Sequence, residues 1–84
     1  MHVKFPVGNS EKHVVMVDYD MFSSKILIYL DDSLQKTFIL TGNPIKVELV
    51  VGNEEKHNVT MHIRGKTIPV ITVYIDNNLI GTFR

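Results

Sequence analysis

Two stretches of this chain repeat one another 44 residues apart: Val7-Gly8-Asn9-Ser10-Glu11-Lys12-His13 recurs as Val51-Gly52-Asn53-Glu54-Glu55-Lys56-His57. Further on, Ile26-Leu27-Ile28-Tyr29-Leu30-Asp31 recurs as Ile71-Thr72-Val73-Tyr74-Ile75-Asp76, now at an offset of 45. Leu34, Thr37 and Phe38 return as Leu79, Thr82 and Phe83. With one gap between the blocks, residues 1–20 align with 45–64 and 24–39 with 69–84, and 14 of these 36 positions are identical. A gap placed directly after His13 would pair Val14 with Val59 and Met16 with Met61. It would also set Asp18 against Ile63, a charge opposite a core-type residue, so the first alignment stands. Two copies of such a unit are too few for a solenoid, which buries its core only by stacking three or more. They imply one domain, residues 1–84, made of two homologous halves, 1–44 and 45–84.

Each half reads as strands. Val, Ile and Thr occupy 11, 9 and 6 positions and alanine is absent, a balance that favours pleated sheet over helix. Val3, Phe5 and Val7 alternate with Lys4 and Pro6, and Val47, Leu49 and Val51 repeat the pattern. Pro6 has no N–H for a ladder, so the first strand belongs at a sheet edge. Gly8-Asn9 and Gly52-Asn53 then turn the chain. Second strands follow at 12–19 and 56–63, with His13, Val15, Val17 and Tyr19 on one face and His57, Val59, Met61 and Ile63 on its counterpart. Third strands put Ile26, Ile28 and Leu30 inward, matched by Ile71, Val73 and Ile75. Asp31-Asp32 and Asp76-Asn77 are suited to tight hairpins, because Asp and Asn tolerate positive φ. Fourth strands hold Phe38 and Leu40 in one half and Phe83 in the other. A single eight-stranded layer would leave half its apolar residues in water, so two sheets must pack face to face. The expected fold is an all-β, compact eight-stranded antiparallel sandwich built from two four-stranded halves.

Charge and motif content exclude several function classes. Nine basic and nine acidic residues give a formal net charge of zero. They are spread four and five over residues 1–44, and five and four over 45–84. No basic lobe of the kind that dominates nucleic-acid affinity is present, and no Lys/Arg run marks an anionic membrane. The expected partners therefore include neither. With no cysteine, disulfides, thiolate zinc sites and thiol catalysis are excluded. No apolar run reaches the ~18–20 residues of a membrane helix. The first residues lack the apolar stretch of a signal peptide, and the expected location is the cytoplasm. A Gly-rich phosphate loop, an activated-serine motif and His-Glu-x-x-His are all missing. The chain is read as non-enzymatic, with no cofactor.

At the level of these units the chain resembles the Fas apoptotic inhibitory molecule family. Glu11-Lys12-His13-Val14-Val15, Ser24-Lys25-Ile26-Leu27-Ile28-Tyr29-Leu30-Asp31 and Val73-Tyr74-Ile75-Asp76-Asn77-Asn78-Leu79 carry the likeness. At the hairpins, Asp31-Asp32 and Asp76-Asn77 stand where that family commonly has Asp-Gly or Asn-Gly. The resemblance implies a compact β-sandwich acting as a non-enzymatic interaction domain, in a family linked to cell survival and protection against aggregation.

Three groups of residues are candidates for function. His13 and His57 occupy equivalent positions; with Glu11 and Glu55 they have the chemistry of a divalent-metal site. The alternative is two half-buried histidines bonded to neighbouring turns, and no metal is assigned. Asp18, Asp20, Asp31 and Asp32 are oxygen ligands of the type calcium takes, but fit no EF-hand spacing and read as solvated turn residues. The third group rests on a contrast between the halves. Outward positions of the second and third strands are Val14, Met16, Leu27 and Tyr29 in the first half and Asn58, Thr60, Thr72 and Tyr74 in the second. If the first four adjoin, they form an exposed apolar patch suited to a protein partner or to a second copy in a homodimer. The competing reading is that the Met21-Phe22 loop covers them. A small-ligand or carbohydrate-binding module, with Tyr29 or Tyr74 as a stacking platform, is the alternative function.

Overall fold

The alternating pattern becomes eight antiparallel strands in the computed structural model, which describes residues 1–84. They are β1 (His2–Val7), β2 (His13–Asp20), β3 (Lys25–Leu30), β4 (Ser33–Ile39), β5 (Ile45–Val51), β6 (His57–Arg64), β7 (Val70–Ile75) and β8 (Asn78–Phe83). One sheet has the order β1-β2-β3-β4 and the other β5-β6-β7-β8. The expected all-β sandwich of two four-stranded halves is therefore the observed one. β1 lies at an edge, as Pro6 requires. There is no helix, and so none long and apolar enough to cross a membrane.

Each half satisfies its own backbone. Strand pairs join only consecutive strands, and the remaining backbone bonds (Tyr19 to Met1, Asp31 to Val14, Leu40 to Ser24, Asp76 to Asn58) also stay within one half. Cohesion between the sheets must come from side chains. Sixteen buried residues form one core, with no buried polar group among them. Val3, Phe5, Val7, Val15, Val17, Ile26 and Ile28 come from the first sheet; Val47, Val51, Val59, Met61, Ile63, Ile71 and Val73 face them from the second. The rings of Phe5 and Phe83 stack with centroids 6.4 Å apart, which lays β1 over β8. Burying such side chains contributes about 1.5–3 kcal/mol each.

Several details differ from the sequence reading. β2 and β6 begin at His13 and His57, one residue later than expected, because Lys12 and Lys56 belong to the preceding loops. β4 is exposed along most of its length. Phe38 is only half-buried, and the buried Leu40 lies just beyond the strand's end. A register shift at Ile28/Tyr29 skips Gln35 and sets Leu34 opposite Tyr29, and Val73/Tyr74 carries the same shift in the second half. Such a bulge breaks the two-residue alternation on an edge strand.

The hairpins follow the expected chemistry. Asp31 and Asp32 have φ of 48° and 66°, and Asp76 and Asn77 have 51° and 66°. These are two-residue loops with both residues left-handed, the type whose twist matches paired strands.

Candidate functional site

Val14, Met16, Leu27 and Tyr29 fall together on the outer face of the first sheet. Met16 sits opposite Tyr29 across the β2–β3 ladder, and Leu27 opposite Asp18. Pro6 stands opposite Val14 on β1, and Lys4 opposite Met16. Val14 is 45% exposed; Met16, Leu27 and Tyr29 are half-buried among their neighbours. Leu34 on β4, 54% exposed, extends the patch beside Tyr29. Strict alternation conceals Leu34, since the bulge is what brings it opposite Tyr29. The Met21-Phe22 loop provides no cover: Phe22 is 100% exposed, so its side chain shields nothing.

The outer face of the second sheet has a different character. Thr60 lies opposite Tyr74, and His62 opposite Thr72. The His62 ring meets that of Tyr74 edge-to-face at 5.6 Å. A shallow depression of about 450 Å³ runs beside Glu48, Val50, Asn58, Thr60 and Asn77.

A second constellation links the two halves. Residues 8–12 and 52–56 form equivalent loops, and each is held by a carboxylate from the other. Glu55 accepts the backbone N–H groups of Asn9 and Ser10, both at 2.7 Å, and of Glu11 at 3.4 Å. Glu11 accepts those of Asn53 at 2.7 Å, Glu54 at 2.9 Å and Glu55 at 3.4 Å. Gly8 and Gly52, at φ of 102° and 103°, make the close approach possible. A methyl group on Gly8 would overlap the Glu11 carbonyl and come within 3.2 Å of the Glu55 carboxylate; Gly52 is constrained in the same way.

The histidines complete this clamp. His13 Nε2 lies 2.5 Å from Glu11 Oε2, and its Nδ1 lies 2.5 Å from Asp31 Oδ2. His57 repeats the geometry with Glu55 at 2.5 Å and Asp76 at 2.6 Å. Asp31 also accepts the Val14 N–H at 2.9 Å, and Asp76 that of Asn58 at 2.9 Å. A ring with a carboxylate at both nitrogens donates from both, so it is held as imidazolium. The Asp31 bond, then the Glu11 bond, raises the His13 pKa above 6.5; Asp76 and Glu55 do the same for His57. The His13 bond and the loop amides pull Glu11 down to about 2, and Glu55 is equally low for the equivalent reasons.

Every ring nitrogen is thus committed to a carboxylate, and each Glu carboxylate to three amides besides. No three His, Asp or Glu side chains converge in a geometry that would hold a metal ion. The four aspartates do not converge either. Asp20 accepts Phe22 N–H and Ser23 Oγ–H in the β2–β3 loop, whereas Asp31 serves the opposite end of the sheet.

No family model, curated protein or solved structure matches this chain.

Proposed function

We propose that this chain is a non-enzymatic, cytoplasmic protein-interaction domain whose binding surface is the outer face of β1–β4, with a second copy as its partner. Membership in the Fas apoptotic inhibitory molecule family is part of the same proposal, supported by the repeated Lys-His and Tyr-Leu-Asp or Tyr-Ile-Asp units. One observation carries the reading: equivalent backbone slots are apolar in one half and polar in the other. Val14, Met16 and Leu27 stand where the second half has Asn58, Thr60 and Thr72. Folding alone gives no reason for that difference, because both faces lie outside the core. A contiguous apolar patch on one sheet is what an interface uses, and Met16 supplies an adaptable contact at its centre.

The test is solution mass by light scattering across a concentration series. The native chain is expected to be dimeric, Met16→Lys monomeric but still folded with a cooperative melt, lowered by the lost association, and Thr60→Lys, the same slot in the other half, still dimeric. A native chain that stays monomeric throughout, or a Met16→Lys variant that still dimerises, would contradict the proposal.

A further inference from the structure

The zero net charge conceals a polar molecule. The loops at the clamp end (8–12, 31–32, 52–56 and 76–77) carry Glu11, Asp31, Asp32, Glu54, Glu55 and Asp76 against Lys12, Lys56 and the His13 and His57 rings that these carboxylates hold. At the opposite end, Lys25, Arg64, Lys66 and Arg84 lie in loops or at strand ends, against Asp18 and Asp20, while Lys46 there is paired with Glu48 at 3.1 Å. Exposed apolar side chains gather at this basic end. Phe22 is 100% exposed, Ile68 67%, Met21 65% and Ile39 50%.

These apolar groups are presented by ordered structure. The Asp20 carboxylate accepts Phe22 N–H at 3.0 Å and Ser23 Oγ–H at 2.9 Å, and Leu40 N–H donates to the Ser24 carbonyl at 2.8 Å. Beside Met21 lies a cavity of about 250 Å³, walled by Met1, Tyr19, Met21, Ile68, Pro69 and Arg84. Its walls come from both halves and are tied together, since Tyr19 Oη–H donates to the Thr67 carbonyl at 2.8 Å. A preformed concave apolar site loses little freedom when it is filled.

We infer that the basic end is a second docking site, for an acidic protein segment that places one apolar side chain in the cavity beside Met21 and Ile68. Charge complementarity selects the partner's sign. Arg84 on the cavity wall, with Lys25, Arg64 and Lys66 at the same end, favours carboxylates flanking the anchor. The concavity selects a side chain over a lipid surface, which would engage Phe22 without filling the cavity. The cavity itself includes none of Val14, Met16, Leu27, Tyr29 and Leu34, although Lys25 and Ile39 at the same end lie on the outer face of β3 and β4.

The probe is a blocked synthetic peptide carrying a leucine–phenylalanine pair flanked by aspartates, titrated by calorimetry against the whole chain. Its lysine-flanked counterpart and phosphatidylserine-containing vesicles run in parallel. The acidic peptide is expected to bind, to weaken as salt rises, and to exceed the lysine-flanked peptide by at least about tenfold, the difference expected of a few charge contacts. Ile68→Ser is expected to weaken binding by about tenfold, as loss of a central apolar contact does, and Arg84→Glu to weaken it as well. Ile68 is two-thirds exposed, so unchanged melting of the Ile68→Ser variant confirms an intact fold. Absence of binding by the acidic peptide, equal binding of both peptides, no effect of Ile68→Ser, or binding of vesicles in place of the peptide would each overturn the inference.

Discussion

Glu11 and Glu55 each close the other's loop: the Glu55 carboxylate receives the Asn9 and Ser10 amides, while Glu11 receives those of Asn53 and Glu54. This exchange is the polar counterpart of the shared core. Because no backbone bond crosses between the sheets, these carboxylates supply directional bonds that fix one half against the other. Neutralising one should therefore be felt in the opposite loop. In Glu11→Gln, hydrogen exchange is expected to quicken at Asn53 and Glu54 more than at Asn9 and Ser10; in Glu55→Gln the order reverses. Faster exchange confined to the mutated residue's own loop would contradict the reciprocal clamp.

The same groups give stability a pH optimum. Glu11 and Glu55 fall from 4.5 to about 2 on folding. Their contribution is complete above pH 4.5 and is lost as pH falls toward 2. His13 and His57 are raised above 6.5, so their contribution is complete below pH 6.5 and is lost as pH rises through the raised value. The melting temperature is expected to plateau between about pH 4.5 and 6.5 and to decline on both sides. A His13→Asn/His57→Asn double variant should lose the alkaline decline and melt lower on the plateau. A profile flat from pH 5 to 9 in the native chain would count against charged imidazoles in the clamp.

Much of the fold was legible in the sequence, because the repeat and the two-residue period both report on the core. Val15, Val17, Ile26 and Ile28, read as inward, are all at most 1% exposed. What escaped was relational. In the sequence Glu11 and Glu55 stand out only as companions of His13 and His57 in a possible metal site, since nothing in a linear sequence says that each faces the other's loop. Their signal was present all the same: Gly-Asn, Glu and Lys-His recur in both halves where most surface positions differ. Leu34 escaped because a bulge shifts its side. The pairing of the outer face with any partner lies beyond what one chain's sequence encodes.

Glycine substitutions separate backbone strain from steric overlap. Gly8 and Gly42 both have positive φ, 102° and 99°, which costs a non-glycine residue about 1–3 kcal/mol. Only at Gly8 would the added methyl also overlap backbone; at Gly42 it would touch the Lys66 side chain no closer than 3.7 Å. Gly8→Ala is expected to be clearly more destabilising than Gly42→Ala in urea unfolding. Equal losses would mean that the 8–12 loop is not held as described.

The two residues of each hairpin answer to different demands. Asp31 has a left-handed backbone at φ 48°, a strain glycine would relieve, but its carboxylate holds the Val14 amide and His13. Asp32 at φ 66° bears the same backbone cost, and its side chain points to solvent. The favoured two-residue turn places Gly at the second position and keeps Asp or Asn at the first. Asp32→Gly should therefore stabilise the domain, by up to about 1 kcal/mol, since relief of positive φ outweighs the added freedom of the unfolded chain. Asn77→Gly, in the matching slot of the second half, should act likewise. Asp31→Gly should destabilise, because it removes two hydrogen bonds while easing one dihedral. It should also lower the His13 pKa toward its ordinary value, since the Asp31 bond is the main cause of the rise. Chemical denaturation gives the stabilities, and NMR titration of the imidazole protons gives the pKa. Opposite signs for Asp31→Gly and Asp32→Gly, with the His13 shift confined to the former, are the expected result. Equal effects of the two would mean that Asp31 serves only the turn.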